Sequence, residues 1–164
     1  MLAIKSGLLA EFDHEMGATR RLLERLPEDR LGWKPHDRSM SLGGLGTHLA
    51  SIPHWGEAIL ESGSFDLAQA PPPNVEKTSR GAILEAFDSA TNVTRALMDK
   101  TDHEYLAPWV LKRGTQEVFA MPRVSAFRTF VINHVIHHRG QLTVYLRLNN
   151  VPVPAIYGPS ADEG

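Results

Sequence analysis

Four stretches of the chain repeat apolar residues at the three- and four-residue spacing of an amphipathic helix. The first covers residues 4–26 and ends at Pro27. The second begins after Ser39, a residue type that caps helices, and ends near Gly63. Pro53 lies inside this second stretch, so we expect a kink or a break there.

The third and fourth stretches follow the same rule. Ser79 can cap the third helix, and Pro122 suits the first position of a long fourth helix. The inward positions are Ile83, Phe87, Ala90, Thr94 and Leu97 in the third helix and Phe127, Val131, His134, His138, Leu142 and Tyr145 in the fourth. Between these helices, β-branched and aromatic residues around Arg113-Gly114 predict a small hairpin over residues 109–120.

The link between the second and third helices is long. Residues 64–77 include Pro71-Pro72-Pro73, which cannot continue a helix and indicates an extended crossover. Such a link allows helices two and three to run parallel. We therefore expect an all-α fold, a single four-helix bundle of up-down-down-up topology that occupies residues 1–164.

Composition narrows the functional classes. Lys and Arg number 17 and Asp and Glu 19, so a net charge of −2 provides no basic field for nucleic acid or an anionic membrane. The absence of cysteine excludes disulfides, thiolate metal clusters and a cysteine nucleophile. The first residues reach Glu11 and Asp13 without a long apolar run, and residues 39–56 are interrupted by glycines and Pro53. These features predict an intracellular, cytoplasmic protein without a secretion signal or a membrane span.

The placement of the eight histidines is more informative than their number. His134 and His138 are four residues apart on a helix, which separates them by about 40° around the axis and roughly 6 Å along it. Both lie on the apolar stripe of the fourth predicted helix, and His48 lies on the apolar stripe of the second, between Leu45 and Ile52. A buried imidazole needs a hydrogen-bond partner or a metal, and burial favours the neutral form that ligates. The pattern therefore predicts a metal site on His48, His134 and His138.

The remaining histidines have other interpretations. A single histidine on an apolar stripe is more often a hydrogen-bonded core residue, so His48 alone would carry little weight. His14 and His54 are expected to face water, and His36 and His103 fall in predicted loops. His137 lies on the flank of the stripe. Three roles fit that position, namely an alternative ligand, a group that supports a ligand, and a proton carrier.

Two other metal motifs are not met. His14-Glu15 begins like the zinc-protease motif, but position 18 is Ala18. A di-iron bundle would need two Glu-x-x-His repeats with further inward carboxylates, and only residues 11–14 supply one. A mononuclear site is favoured.

Polar and aromatic residues near the histidine pair have simple interpretations. Arg139 and Arg147 are most simply residues of a solvated helix face, an interpretation that we adopt for Arg147. Gln141 is placed to orient a ligand or to pack. The aromatic residues Trp33, Trp55 and Tyr157 are interpreted as packing residues.

Two segments resemble the DinB family, also described as DinB/YfiT-like metalloenzymes. Residues 134–163, HVIHHRGQLTVYLRLNNVPVPAIYGPSADE, resemble its C-terminal helix and tail, and residues 45–50, LGTHLA, followed by Trp55, resemble its second-helix motif. The resemblance implies a four-helix bundle, often a homodimer, with a divalent ion such as zinc or nickel on three histidines. By position these are His48, His134 and His138, and relatives include thiol transferases and isomerases that use low-molecular-weight thiols.

These observations support three hypotheses. The first is a metal-dependent enzyme that activates water or a low-molecular-weight thiol for transfer or hydrolysis on a small-molecule substrate, with His137 as the nearest candidate for a catalytic acid or base. The second is a noncatalytic metal-binding stress-response protein, in which the ion only ties helix two to helix four. The third is a dimeric bundle without an ion.

Overall fold

The computed structural model describes residues 4–72 and 75–164. The helices are α1 (Ile4–Leu23), α2 (Leu42–Ser51), α3 (Trp55–Glu61), α4 (Arg80–Leu97), α5 (Asp102–Leu106), α6 (Arg123–Phe127) and α7 (His134–Leu148). The strands are β1 (Ser64–Asp66), β2 (Pro108–Arg113) and β3 (Gln116–Pro122). The protein is therefore mostly helical with one small sheet, and no helix in the described ranges is long and apolar enough to cross a membrane.

The second predicted helix is interrupted where the proline predicts it. Regular helix ends at Ser51, a 3-10 turn covers Ile52–His54, and α3 resumes at Trp55. The expected cap at Ser39 is wrong, because the helix begins only at Leu42 and Ser39 lies too far upstream. Ser41 takes that role and accepts a hydrogen bond from the Gly44 amide at 2.8 Å.

The fourth predicted helix is present but not uniform. Pro122 ends β3 and stands just before α6 as its N-cap residue, not inside the first turn. A π-helical segment, Arg128–Asn133, joins α6 to α7. Such wider turns rotate the side chains that follow them and occur often at functional sites. This one directly precedes His134.

The sheet contains more than the predicted hairpin. Strands β2 and β3 pair antiparallel as expected, and Gly114 supplies the positive φ of 61° in the turn. Strand β1 adds parallel to β2, with Phe65 opposite Leu111. It lies in the predicted crossover, where three residues give too short a pattern to read. Of the three consecutive prolines there, Pro73 lies outside the described residues.

A short helix also escaped prediction. Helix α5 begins with a capping box, in which Thr101 and Glu104 satisfy each other's backbone amides. His103 is therefore in a helix and not in a loop, and its side chain is exposed.

The core lies between α1, α2, α4 and α7, which pack on one another in the pairs α1–α4, α1–α7, α2–α4 and α2–α7. The predicted inward stripes supply its side chains, and Phe12, Leu45, Phe87, Phe127 and Leu142 are each at most 1% exposed. Ser79 caps α4 as predicted, through a bond from the Ala82 amide. Because α2 and α7 are neighbours, their inward polar residues meet.

Candidate metal centre

The three histidines predicted to bind a metal lie together on the facing sides of α2 and α7. Nε2 of His48 lies 3.2 Å from Nε2 of His134. One ring nitrogen from each of His48, His134 and His138 falls within 4.8 Å of the others. The sequence spacing explains the arrangement, because four residues along α7 place His134 and His138 one turn apart, opposite His48.

The separation between two of the ring nitrogens fits one small cation. Two nitrogens that each lie 2.0–2.1 Å from a tetrahedral zinc ion are about 3.3–3.4 Å apart. The 3.2 Å separation between His48 and His134 is close to that value. All three side chains are half-buried.

A hydrogen bond orients the ring of His138. Nδ1 of His138 lies 2.7 Å from Oε1 of Gln141, which can only accept, so this nitrogen carries the proton. The ring is thereby held with its Nε2 lone pair free for a cation, the arrangement that supports metal-ligating histidines elsewhere. The backbone carbonyl of Phe130 favours the protonated form of His134, against the larger effect of burial on the pKa of that histidine.

The electrostatics favour the ligating form. Burial, with the neighbouring histidines His138 and His134 as weaker causes, lowers the pKa of His48 from 6.5 to about 4. Burial is also the main cause that lowers the pKa of His134 and of His138. All three are therefore neutral at pH 7, and a cation does not have to displace protons there.

His137 lies beside the group and outside it. Its side chain is exposed, and its ring nitrogens do not belong to the group of three that lie within 4.8 Å of one another. Its Nε2 lies 3.2 Å from Nε2 of Gln141, whose oxygen holds His138. Gln141 thus links His137 to His138.

The other histidines stay apart from the group. His14, His36, His54 and His103 are exposed, as expected for His14 and His54. His54 pairs with Glu57 at 2.5 Å, and His14 stacks against Tyr157. Within residues 4–72 and 75–164, the group on α2 and α7 is the one cluster whose geometry suits a metal.

One polar group near the site was not predicted. Arg139 is only 2% exposed, so the simple interpretation of a solvated residue is wrong for it, whereas Arg147 is exposed as predicted. The Arg139 guanidinium pairs with buried Glu15 of α1 at 2.6 Å. Tyr157 is 66% exposed and bonds Glu15 through its hydroxyl at 2.8 Å, so it is more than a packing residue.

The sequence carried a weak signal of this pair. Glu15 follows Phe12 by three residues and precedes Met16, which places a carboxylate at the edge of the apolar stripe of α1. A buried acid requires a cation, but spacing alone did not identify Arg139 as its partner.

Comparison with known proteins agrees with this architecture. The family model of the DinB family matches residues 1–164. The uncharacterized protein YrdA of Bacillus subtilis (strain 168) is 33% identical over 159 residues, which cover 94% of this chain and 89% of that protein.

Two solved structures share the fold. A DinB-like protein from Bacillus cereus ATCC 10987 aligns with a TM-score of 0.71 at 23% identity and covers 94% of this chain and 98% of its own. The DinB-like protein YjoA of Bacillus subtilis aligns with a TM-score of 0.72 at 21% identity, over 93% and 99%. With the family match over its whole length, the chain belongs to the DinB family.

Proposed function

We propose that this protein is a mononuclear metal-dependent enzyme in which His48, His134 and His138 hold a divalent ion, zinc or nickel. The observation that carries the proposal is the convergence of three neutral imidazoles, with ring nitrogens within 4.8 Å of one another. Catalytic metal sites commonly use three protein ligands and leave a position for a further ligand, whereas structural sites are closed.

The chemistry follows from the three-ligand set. A divalent ion there would supply Lewis-acid chemistry and lower the pKa of a water molecule or of a low-molecular-weight thiol. The reaction class is transfer or hydrolysis on a small-molecule electrophile. The chain has no cysteine, so a nucleophilic sulfur must come from a cosubstrate.

The chain's own residues have separate tasks in this scheme. Gln141 holds the ring of His138 in the required tautomer. His137 is exposed beside them and would carry a proton between the site and solvent. A His137→Gln variant should then bind metal normally and lose turnover.

Metal binding is the first test. Metal-free protein titrated with zinc or nickel should take up one ion per chain, measured by elemental analysis after desalting. His48→Ala should lose the ion and any activity while its circular dichroism stays helical, and His36→Ala, an exposed histidine in a turn, should keep it. Stoichiometric metal or turnover in His48→Ala would refute the scheme.

A noncatalytic metal-binding protein is the second candidate, because the ligands come from two helices and an ion would tie α2 to α7. Cobalt-loaded protein separates the two. A visible spectrum that shifts when a thiol is added indicates an exchangeable position and favours the enzyme. An unchanged spectrum, with a melting temperature that rises with metal concentration, favours the structural role.

The proposal has three further parts. The family resemblance supports an up-down-down-up bundle of four helices and a homodimer, and the length and N-terminal sequence of the chain support one domain and a cytoplasmic location. Light scattering on the eluting protein would measure the oligomeric state. A monomer at micromolar concentration would contradict the homodimer and leave the metal site unaffected.

A further inference from the structure

A cavity of about 470 Å³ opens beside α3. Its lining includes Trp55 and Ala58 from α3, and Phe65 and Leu67 from the segment that follows. The volume is within the range of small-molecule sites, which are mostly apolar with few polar groups.

The walls are built and held in place. Strand β1 pairs with β2 and brings the ring of Phe65 to 4.9 Å from that of Trp55. The carboxylate of Asp66 accepts hydrogen bonds from the amides of Ala68 and Gly114, at 2.9 and 2.8 Å. These bonds fix the turn that carries Leu67, so the cavity exists before any ligand binds.

Two residues of the lining lead towards the histidine group. Ser51 lines it and donates a hydrogen bond to the carbonyl of His48 at 2.8 Å. Three residues along a helix correspond to about 4.5 Å along the axis and about 60° around it. On the other side, Trp55 stacks on Phe130 with centroids 5.3 Å apart, and Phe130 precedes His134 by four residues in the segment that leads into α7.

The polar groups of the lining are already engaged. The Ser51 hydroxyl proton goes to the His48 carbonyl, and His54 pairs with Glu57 at the exposed rim. No group in the described lining has the charge complement for a phosphate or a carboxylate. An apolar group is therefore the occupant with the smallest free-energy cost of desolvation in this cavity.

We propose that this cavity binds an apolar portion of the substrate, of phenyl size or larger, while a polar reactive end of the same molecule reaches His48, His134 and His138. The second half of this statement rests on the proposed metal site, and the first half does not. The substrate class is thus an amphiphilic small molecule, with its apolar group one to two helical turns from its reactive end.

The cavity can be tested on metal-free protein. Saturation-transfer NMR with benzyl alcohol should show contact in the wild type and none in Ala58→Phe, which fills the cavity from a residue that lines it. Ala10→Phe, on the exposed face of α1, is the matched control and should keep the signal. If Ala58→Phe fails to fold by circular dichroism, Leu67→Ser tests the same wall from the loop and should weaken the signal.

The link to the metal site needs a second measurement. Zinc-loaded protein is titrated calorimetrically with acetohydroxamate and with phenylalkyl hydroxamates of one to four linking methylenes. One linker length should bind at least about tenfold tighter than acetohydroxamate, as expected for burial of an aromatic ring. That gain should disappear in Ala58→Phe and remain in Ala10→Phe.

The two measurements fail in different ways. No benzyl alcohol signal in the wild type, or equal affinity for all hydroxamates, overturns the apolar subsite even if zinc binds. A benzyl alcohol signal without binding of any hydroxamate contradicts the open metal position and so the proposed function, while the cavity's preference for apolar groups stands.

Discussion

The carboxylate of Glu15 lies 2.6 Å from the guanidinium of Arg139, the residue that follows the candidate ligand His138, and both side chains are almost fully buried. The pair has further partners. Arg139 also donates to the Glu15 carbonyl at 3.1 Å, and the Tyr157 hydroxyl donates to the Glu15 carboxylate. These contacts join α1, the start of α7 and the C-terminal tail, so they set the position of the helix that carries two candidate ligands.

Removing one member of this pair should strongly lower the free energy of unfolding. Glu15→Ala leaves the Arg139 charge buried and unpaired, and we expect a loss of about 3–5 kcal/mol in the free energy of unfolding. Asp13→Ala is the matched control on the same helix, because Asp13 pairs with Arg95 at the surface and should cost about 1 kcal/mol or less. Urea titrations measure both. Equal losses in the two variants would show that the buried pair contributes no more than a surface one.

The pair's contribution should not be additive. In the double variant Glu15→Leu, Arg139→Met no charge remains buried, so the loss should be smaller than the sum of the two single losses. A double-mutant cycle in urea measures the coupling. Strict additivity would indicate that the two side chains do not interact.

Gln141 offers a test of ligand orientation. Its oxygen accepts the Nδ1 proton of His138 at 2.7 Å, so Gln141→Leu should weaken metal binding by about 10–100-fold. Gln141→Glu keeps an acceptor and should retain most of the affinity. His137→Leu removes the other partner of this amide and serves as the control. Competition with a chelator of known affinity gives the constants, and an unchanged value in Gln141→Leu would contradict the role.

The stability of the metal-free protein should depend on pH through the same histidines. The pKa of His48 is about 4 in the folded protein against 6.5 for the free side chain. Between these values the unfolded chain binds more protons than the folded protein, so the free energy of unfolding rises with pH. The contribution of His48 to stability is therefore lost as the pH falls from about 6.5 towards 4. The lowered pKa values of His134 and His138 act in the same direction.

Urea unfolding at pH 5 and pH 7 measures this difference. His48→Gln should reduce it, because the substituted side chain does not titrate. A pH dependence that His48→Gln leaves unchanged would place its origin elsewhere in the chain.

The sequence predicted the parts of the fold that depend on local periodicity. The stripes of α1, α2, α4 and α7, the break at Pro53 and the hairpin at Gly114 all follow from spacing or from one residue's backbone preference. The histidine group was predictable because His134 and His138 share a helical face and His48 lies on another apolar stripe. Periodicity constrains which side of a helix a residue faces, and this constraint was sufficient to predict that the three imidazoles lie close together.

Features that depend on contacts between distant segments could not be predicted this way. Strand β1 is three residues long and exists because β2 offers it an edge. Arg139 follows two histidines and looks like a surface residue until Glu15, far away in sequence, is placed opposite it. The cavity beside Trp55 likewise forms only when β1 brings Phe65 to the helix.

The close approach of α3 to α4 gives a last prediction. A Cβ atom added at Gly56 would lie 2.3 Å from Cγ2 of Thr94, whose hydroxyl donates to the carbonyl of Pro53 at 2.6 Å. Thr94 is fully buried and held by that bond, so it cannot move aside without exposing a carbonyl at the helix break. Gly56→Ala should therefore lower the free energy of unfolding by about 1–3 kcal/mol.

Gly17→Ala is the matched control, because Gly17 lies within α1 and an added Cβ meets nothing within 4 Å. Alanine is the better helix former, so this variant should gain about 0.5–1 kcal/mol. Since Gly56 is next to Trp55, a shift of α3 in Gly56→Ala should also weaken benzyl alcohol binding. Opposite signs in the two variants would establish that Gly56 is required by the contact with Thr94, and a stabilised Gly56→Ala would show that the two helices can separate freely.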